Sequence, residues 1–368
     1  METVVVGMSG GVDSSVTALL LKQAGYRVIG INLRLWTPAD DGLTTRAGGR
    51  CCSIEAMQDA RAVCDAIDVP FIALNLEQQF DRHVVGYFAD EYVAGRTPNP
   101  CLACNRYIKF DVLLSKARAL GARYLATGHY ARVVDGPDGR RELWRARDQG
   151  KDQSYALYSV TQAQLRHLLF PLGELSGKAE TRAIARQHRL PVADKADSQE
   201  ICFIPGRRHA EFVGRLRPDA VRPGAIEDTG GRRLGTHQGL PHYTVGQRRG
   251  LGLPGREPLY VVGVDAARNA VIVGTAAELR FTALEAAQVN WVAGAPPAGW
   301  VELAVMVRYR STLFPARAMA LPGERLRVEF TGELPVAVAP GQAVVLYDGE
   351  RVVGGGLIDR AERAAAVA

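Results

Sequence analysis

Val4-Val5-Val6-Gly7-Met8-Ser9-Gly10-Gly11-Val12-Asp13-Ser14 reads as a buried strand, a tight turn and the start of a helix. Three consecutive valines suit a strand covered on both faces. From Ser14 to Ala24 the residues Val16, Leu19 and Leu20 share one helical face, and Gly25 closes the helix. Between strand and helix, Gly10 and Gly11 let the backbone approach a ligand closely. The helix N-terminus offers open amides and the positive end of a dipole, so an anion fits there. Hydroxyls of Ser9, Ser14 and Ser15 add donors, and Asp13 is placed to hold a magnesium ion carried by phosphates. The turn lacks the Lys-Ser/Thr ending of a Walker A loop. A ligand-free glycine turn is the bland alternative, but it does not call for the whole hexapeptide in this strand-to-helix setting.

The same rhythm continues outward. Val28 to Leu33, Val69 to Leu74 and Tyr124 to Thr127 read as strands, and Ile54 to Ile67, Asp111 to Leu120 and Lys178 to Arg189 as helices. This predicts an α/β fold: a doubly wound parallel sheet covered by helices, with ligands at the carboxyl ends of its strands. Tyr130 to Val134 and Glu142 to Ala146 flank a turn at Asp135-Gly136-Pro137-Asp138-Gly139 and predict a hairpin. Beyond Pro205 the composition shifts to short β runs at Tyr260–Val264, Ala270–Val273, Val301–Tyr309, Leu326–Phe330 and Ala343–Tyr347. The expected division is a catalytic domain over 1–205, a central β-rich domain over 206–275, a C-terminal β-barrel-like domain over 276–361 and a tail over 362–368.

The 368 residues carry a formal net charge of +6, which favours a polyanionic partner. Only Lys22, Lys109, Lys116, Lys151, Lys178 and Lys195 are lysines among 45 basic residues. Either genomic base composition or phosphate recognition by guanidinium forks accounts for that bias. No signal peptide and no apolar run long enough to span a membrane is legible, which argues for the cytoplasm. Six cysteines in a long chain without an export signal point to reduced thiols rather than a disulfide framework.

Thr97-Pro98-Asn99-Pro100-Cys101-Leu102-Ala103-Cys104-Asn105 places two thiols on a proline-restrained loop. A zinc site needs about four ligands, and no second C-x-x-C exists. A thioredoxin-like pair needs a different fold, so catalytic thiols remain. Cys202, in Asp197-Ser198-Gln199-Glu200-Ile201-Cys202-Phe203-Ile204, is a third thiol that only the fold can bring near. Two separated thiols suit sulfur transfer, one carrying a persulfide and the other attacking it. Core packing is the plainer reading of a lone cysteine beside phenylalanine. Cys64 reads as a buried helical residue, and Cys51-Cys52 as the start of a helix.

The turn at Ser9–Ser14, with Ala126-Thr127-Gly128-His129-Tyr130 at a later strand end, resembles the PP-loop of ATP pyrophosphatases, of the adenine nucleotide alpha hydrolase-like fold. Adding Thr97–Asn105, Lys151-Asp152-Gln153-Ser154-Tyr155, Ser198–Ile204, Gly235-Thr236-His237-Gln238-Gly239-Leu240 and Tyr243–Gly252, the chain resembles the bacterial tRNA-specific 2-thiouridylases over nearly its whole length. The resemblance implies ATP over Gly7, Met8, Ser9, Gly10, Gly11, Val12, Asp13, Ser14, Leu33 and Gly128. It implies Cys104 as nucleophile and Cys202 as persulfide carrier, with a Cys104–Cys202 disulfide left after turnover. It implies contacts to tRNA from Asn99, Pro100, Cys101, His129, Lys151, Asp152, Gln153, Arg308, Tyr309 and Gln342. The implied substrate is a tRNA wobble uridine, and the implied sulfur donor a cysteine desulfurase or sulfur-relay protein.

Cys101 departs from the pattern, since many relatives carry aspartate there. A thiol cannot accept the hydrogen bonds of a carboxylate, which puts general-base work at this position in doubt. Three thiols also raise a lesser alternative, an iron–sulfur cluster on Cys101, Cys104 and Cys202 with one open iron position. Two other readings compete. A PP-loop enzyme using an amine nucleophile would be indifferent to Cys104→Ser and Cys202→Ser. A non-catalytic RNA-binding module would have no need of intact Ser9, Asp13 and Ser14.

Overall fold

The computed structural model describes residues 1–37, 54–137, 139–196, 201–204, 206, 208–254 and 257–364. The expectations for Cys51-Cys52, Asp138 and Asp197–Glu200 therefore lie outside the described residues. In the first half the strands are β1 (Thr3–Gly7), β2 (Arg27–Arg34), β3 (Phe71–Asn75), β4 (Tyr124–Ala126), the hairpin β5 (Ala131–Asp135) and β6 (Arg141–Arg145), and the short β7 (Leu168–Leu169). Five of them form one parallel sheet in the order β3-β2-β1-β4-β7. Successive side chains alternate faces. Val4 and Val6 join the apolar residues of helices α1 (Val12–Gln23) and α2 (Ile54–Ala66), while Val5 faces Leu113, Leu114 and Ala117 on the other side. All three valines are fully buried, as a strand covered by helices on both faces requires. The chain leaves β1 first toward β2 and β3 and later toward β4 and β7. The crevice at the carboxyl ends of β1 and β4 is thus the switch point where such sheets bind ligands.

Two long helical stretches stand beside this crevice. The stretch α3 (77–93) is π-helical over Asp81–Gly86, and its apolar residues went unread in the sequence. The stretch α4 (100–119) is π-helical over Cys104–Leu113. The expected helix began only at Asp111; the structure starts it at Pro100. Proline suits the first helical position because its missing amide is an orphan there anyway, and Asn99 caps the start by accepting from the Cys101 amide at 3.1 Å. Cys101 and Cys104 therefore stand on the first turns of a helix and not on a loop. Helices α5 (Lys178–Gln187) and α6 (His209–Leu216) follow. Among the described residues no helix is long and apolar enough to cross a membrane.

The second half is β-rich. Strands β8 (Gly224–Asp228), β9 (Arg233–His237), β10 (Tyr260–Asp265) and β11 (Ala270–Gly274) make a small sheet in the order β10-β11-β8-β9 around Ile226, Val261, Val271 and Val273. Strands β12 (Phe281–Asn290), β13 (Val301–Met306), β14 (Phe314–Leu321), β15 (Arg325–Phe330), β16 (Ala343–Asp348) and β17 (Arg351–Arg363) follow in the order β12-β15-β14-β13-β16-β17, and β12 pairs with β17 to close a barrel. Two expectations change here. β17 runs to Arg363, so Glu362 and Arg363 stand in the barrel rather than in a tail. β13 stops at Met306 instead of continuing to Tyr309, because the chain turns away and Arg310 adopts a left-handed backbone with φ 62°.

The β5–β6 hairpin joins the barrel's sheet and not the parallel one: Trp144 pairs with Arg351, and the Arg145 amide donates to the Glu350 carbonyl at 2.8 Å. One apolar core accordingly runs from Val5, Ile31 and Leu125 through Leu143, Tyr155 and Tyr158 to Val345, Tyr347 and Val352. Tyr155 is buried in this seam and donates to the Ala343 carbonyl at 2.9 Å. Tyr155→Phe should cost about 1 kcal/mol for the lost hydrogen bond, and Tyr155→Ala about 3–5 kcal/mol for the cavity as well. Denaturant unfolding of the three proteins measures both; equal effects would show that Tyr155 is not packed across the seam.

Candidate active site

Met8 sits on β2 through its amide, which donates to Ile31 at 2.8 Å, and through its carbonyl, which accepts from Asn32 Nδ2 at 2.7 Å. The turn that follows is closed by its own serines. The Ser9 amide donates to Ser14 Oγ at 3.1 Å, and the hydroxyls of Ser14 and Ser15 donate to the Gly11 carbonyl at 3.1 and 2.9 Å. Gly10 has φ 73°, and a Cβ there would lie 2.1 Å from the Ala56 carbonyl oxygen. Only glycine fits. Gly128, after β4, approaches so closely that a Cβ would meet the Ser14 nitrogen at 2.8 Å. No side chain caps α1, so its first-turn amides point into the crevice as an anion site.

A cleft of about 620 Å³ opens over this turn. All ten expected nucleotide residues, Gly7 to Ser14 with Leu33 and Gly128, line it. So do four of the six lysines: Lys109, Lys151, Lys178 and Lys195. Lys178 Nζ lies 2.8 Å from both carboxylate oxygens of Asp13, and Tyr130 donates to one of them at 2.8 Å. Lys195 Nζ donates to the Gly10 carbonyl at 3.0 Å and pairs with Asp59 on α2. Phosphate recognition by guanidinium forks was one of two readings of the arginine bias; among the described residues the cleft holds four ammonium groups and one guanidinium, Arg310. Sequence reading missed Lys109, Lys178, Lys195, Asn105, Tyr130 and Arg310. The scarcity of lysine was the available signal, because a chain that fills its surface with arginine keeps lysine where a compact cation is needed.

Among the described residues Asp13 is the one carboxylate lining the cleft, and no three metal-binding side chains converge. The residues fit a magnesium ion only as one carried in by phosphates and touched by Asp13. The iron–sulfur alternative loses its geometry. Cys101 lines the cleft and is exposed, whereas Cys104 and Cys202 pack against the apolar cluster of Phe80, Phe88, Ile108 and Phe203. Leu35 and Ile201 belong to the cleft wall and to that cluster alike, so Cys104 and Cys202 border one apolar body directly behind the cleft. Cys64 is buried on α2, and burial pushes its thiol up to about 11, with Asp65 adding to the shift. It stays protonated and inert at neutral pH.

Cys101, Asn105, Lys109 and Leu113 all face the cleft at intervals of four. An α-helix of about 3.6 residues per turn would rotate each step by about 40°. The wider π-helical winding of Cys104–Leu113 compensates for that drift and keeps one row of side chains on one wall. From the barrel, Tyr309 and the strained Arg310 complete the opposite wall.

The residues expected to meet RNA divide. Asn99, Cys101, His129, Lys151, Gln153 and Tyr309 line the cleft. Arg308 is exposed outside the lining, one position before the pair Tyr309–Arg310 that the turn presents. Pro100 is buried as the first residue of α4. Asp152 is buried too: it accepts from the Ala146 amide at 3.0 Å and the Ser154 hydroxyl at 2.8 Å and pairs with Arg145 at 3.2 Å. It braces the seam and turns no charge toward a ligand. Gln342 lies at the seam, donating to the Thr97 carbonyl at 2.6 Å.

Three family models match in succession: one described as "tRNA methyl transferase HUP domain" over residues 2–206, a "PRC-barrel domain" of the same series over 210–275 and an "Aminomethyltransferase beta-barrel domain" over 281–358. Proteins named tRNA-specific 2-thiouridylase MnmA match over nearly the whole chain. That of Chloroflexus aurantiacus is 49% identical over 98% of this chain and 99% of its own. Those of Moorella thermoacetica and Paramagnetospirillum magneticum are each 50% identical, over 96% of this chain and 98% and 95% of theirs. The chain belongs to the tRNA-specific 2-thiouridylase family. Among solved structures, an NMN synthetase from Francisella tularensis covers 59% of this chain and 77% of its own at a TM-score of 0.35 and 16% identity, too slight a likeness to argue from.

One family-implied contact has an electrostatic state that the structure fixes. His129 packs among Phe110 and Phe170, with Thr127 Oγ1 2.7 Å from its Nδ1. Burial, and secondarily the charge of Lys109, hold it well below the ordinary histidine range. The imidazole is neutral in the folded chain, whereas in the unfolded chain it takes up a proton near pH 6.5. The unfolded state therefore binds more protons below about pH 6.5, and stability falls as pH drops. His129→Gln should flatten that decline between about pH 7 and 5; a urea midpoint series with the same slope in both proteins would contradict the assignment.

Proposed function

We propose that this chain uses ATP to convert a tRNA wobble uridine to 2-thiouridine, in the cytoplasm, with 1–205 as catalytic domain and 206–275 and 276–361 as tRNA-facing domains. The observation that supports the reading is the joint cleft, lined together by an uncapped helix N-terminus, four lysines, Asn99, Cys101 and the Tyr309–Arg310 pair from the barrel half. The matched domain descriptions speak of methyl transfer, but the full-length relatives are named thiouridylases, and thiols behind a triphosphate-shaped loop suit sulfur chemistry.

In this reading the α1 amides, Lys178 and Lys195 hold the phosphates, and Leu33 lies against the adenine. A magnesium ion touched by Asp13 supplies further charge neutralisation when bound with the nucleotide. The target base leaves its stack and enters between Asn99, Cys101 and Tyr309. Its C2 oxygen attacks the α-phosphorus; the bond to the bridging oxygen breaks and pyrophosphate leaves, which makes that oxygen part of a good leaving group. The outer sulfur of a Cys202 persulfide, loaded by a cysteine desulfurase or relay protein, attacks C2, and AMP departs with the old oxygen. The Cys104 thiolate attacks the Cys202 sulfur, so that the sulfur–sulfur bond breaks toward C2 and leaves 2-thiouridine with a Cys104–Cys202 disulfide. An external dithiol returns both to thiols. The route in which Cys104 first releases hydrosulfide uses the same groups. His129, neutral and buried, shapes the pocket without charge.

Lys178→Met should lower kcat/KM for ATP by about ten- to hundredfold, the loss of one charge-assisted contact, measured as tRNA-dependent pyrophosphate release. Cys202→Ser should keep pyrophosphate release and lose sulfur incorporation. Thiolation that survives Cys202→Ser removes the persulfide step; an unaffected Lys178→Met removes the lysine from phosphate binding.

A further inference from the structure

The barrel holds the thiol-bearing segment ahead of the thiols at Thr97 and behind them at Arg106, which donates to Gln288 Oε1 at 3.1 Å. The Thr97 amide donates to the Pro340 carbonyl at 2.8 Å, and the Thr97 carbonyl accepts from Gln342 Nε2 at 2.6 Å. Both backbone groups of Thr97 are thus held by the turn that precedes β16. Between them Gly341, at φ 89°, comes so close that a Cβ would lie 2.9 Å from the Thr97 nitrogen. The turn is itself rigid. Gly341 donates to the Ile358 carbonyl at 2.9 Å, and Ile358 returns a hydrogen bond to the Gln342 carbonyl at 2.8 Å, which fixes it to β17, the strand that closes the barrel.

What lies beyond Thr97 has little freedom. Pro98 and Pro100 lock their own φ angles and restrict their predecessors, Asn99 caps α4, and Cys101 and Cys104 follow in its first turns. Behind Thr97, Arg96 pairs with Glu91 at the end of α3, Nε lying 2.7 Å from the carboxylate. A displacement of Thr97 has no slack to absorb it before the thiols.

We propose that Gln342, seated by Gly341 and Pro340, is a positioning residue: it clamps Thr97 so that the barrel sets the placement of Cys101 and Cys104. The barrel also carries Tyr309 and Arg310 into the cleft, so a polyanion bound across the barrel is felt at the thiols through the same body. Its consequence for turnover rests on the reading of Cys104 as the reacting thiol; the clamp itself does not.

Gln342→Met keeps the length of the side chain and removes its amide, and with it the donor to Thr97, and Gly341→Ala adds only the Cβ. In the whole protein, without tRNA or ATP, peptide-resolved alkylation with iodoacetamide should change about three- to tenfold at Cys101 or Cys104 in both variants, the weight of one hydrogen bond. Buried Cys64 should stay unlabelled, which reports an intact fold. Single-turnover thiolation should fall by a similar factor in both, while in Gly341→Ala filter-binding affinity for tRNA stays within about twofold. Unchanged alkylation overturns the clamp, and if tRNA affinity falls at the same time, Gln342 acts as a direct RNA contact. If Cys64 becomes labelled in one variant, the other decides. Wild-type protein that thiolates nothing would sink the proposed function and leave the alkylation result readable.

Discussion

The apolar core that passes from the parallel sheet into the barrel is the constraint on which the rest depends. Interfaces between domains of one chain are by default polar and mobile. Here Leu143 of the β5–β6 hairpin, Tyr155, Tyr158, Val345 and Tyr347 are buried together with Val5 and Leu125 of the sheet. Once they are buried, the barrel has one place to stand. That place puts Tyr309 and Arg310 over the carboxyl ends of β1 and β4 and the Pro340–Gln342 turn against Thr97. The cleft is a product of two folding units, and the seam is what brings Tyr309 and Arg310 to the phosphate turn.

Within the cleft the charge distribution matches its geometry. Among the described residues four lysines, Arg310 and one carboxylate line it, and that carboxylate, Asp13, is already engaged by Lys178 and Tyr130. In the proposed function, a triphosphate arriving at the α1 amides would exchange the Asp13–Lys178 pair for contacts of its own. Lysine suits that exchange better than arginine, since a point charge on a flexible stem can swing between partners while a planar fork is bound to one geometry. Cys101 lines the cleft, whereas Cys104 and Cys202 pack against the apolar cluster that shares Leu35 and Ile201 with the cleft wall. In the proposed function, phosphate chemistry would take place among the charged groups of the cleft and sulfur chemistry at its apolar border.

The phosphate turn was legible because it is local: strand, glycines, serines and helix all lie within Val4–Ala24, and their physics needs no distant partner. The parallel sheet followed from the alternation of apolar runs. The helical start at Pro100 was not read, since two prolines and an asparagine look alike whether they stiffen a loop or cap a helix. Asp152 was expected as a contact because the Lys151-Asp152-Gln153 segment resembles the family's, yet the fold supplies Arg145, the Ala146 amide and Ser154 to bury it. Arg310 stayed hidden because the valine-rich run before it promised a strand through Tyr309, and only the left-handed turn brings it to the cleft. The seam was the least legible feature. A hairpin that pairs with a strand some two hundred residues later leaves no mark in the local pattern.

Transfer of sulfur to uridine is the central claim, and mass spectrometry of tRNA nucleosides tests it most directly. Purified protein is incubated with tRNA, ATP, magnesium and a cysteine desulfurase with cysteine, and the digested nucleosides are weighed. The account predicts replacement of one oxygen by sulfur in uridine at the wobble position, dependent on ATP and on Cys202. Sulfur at another base, or no sulfur from a loaded donor, contradicts it.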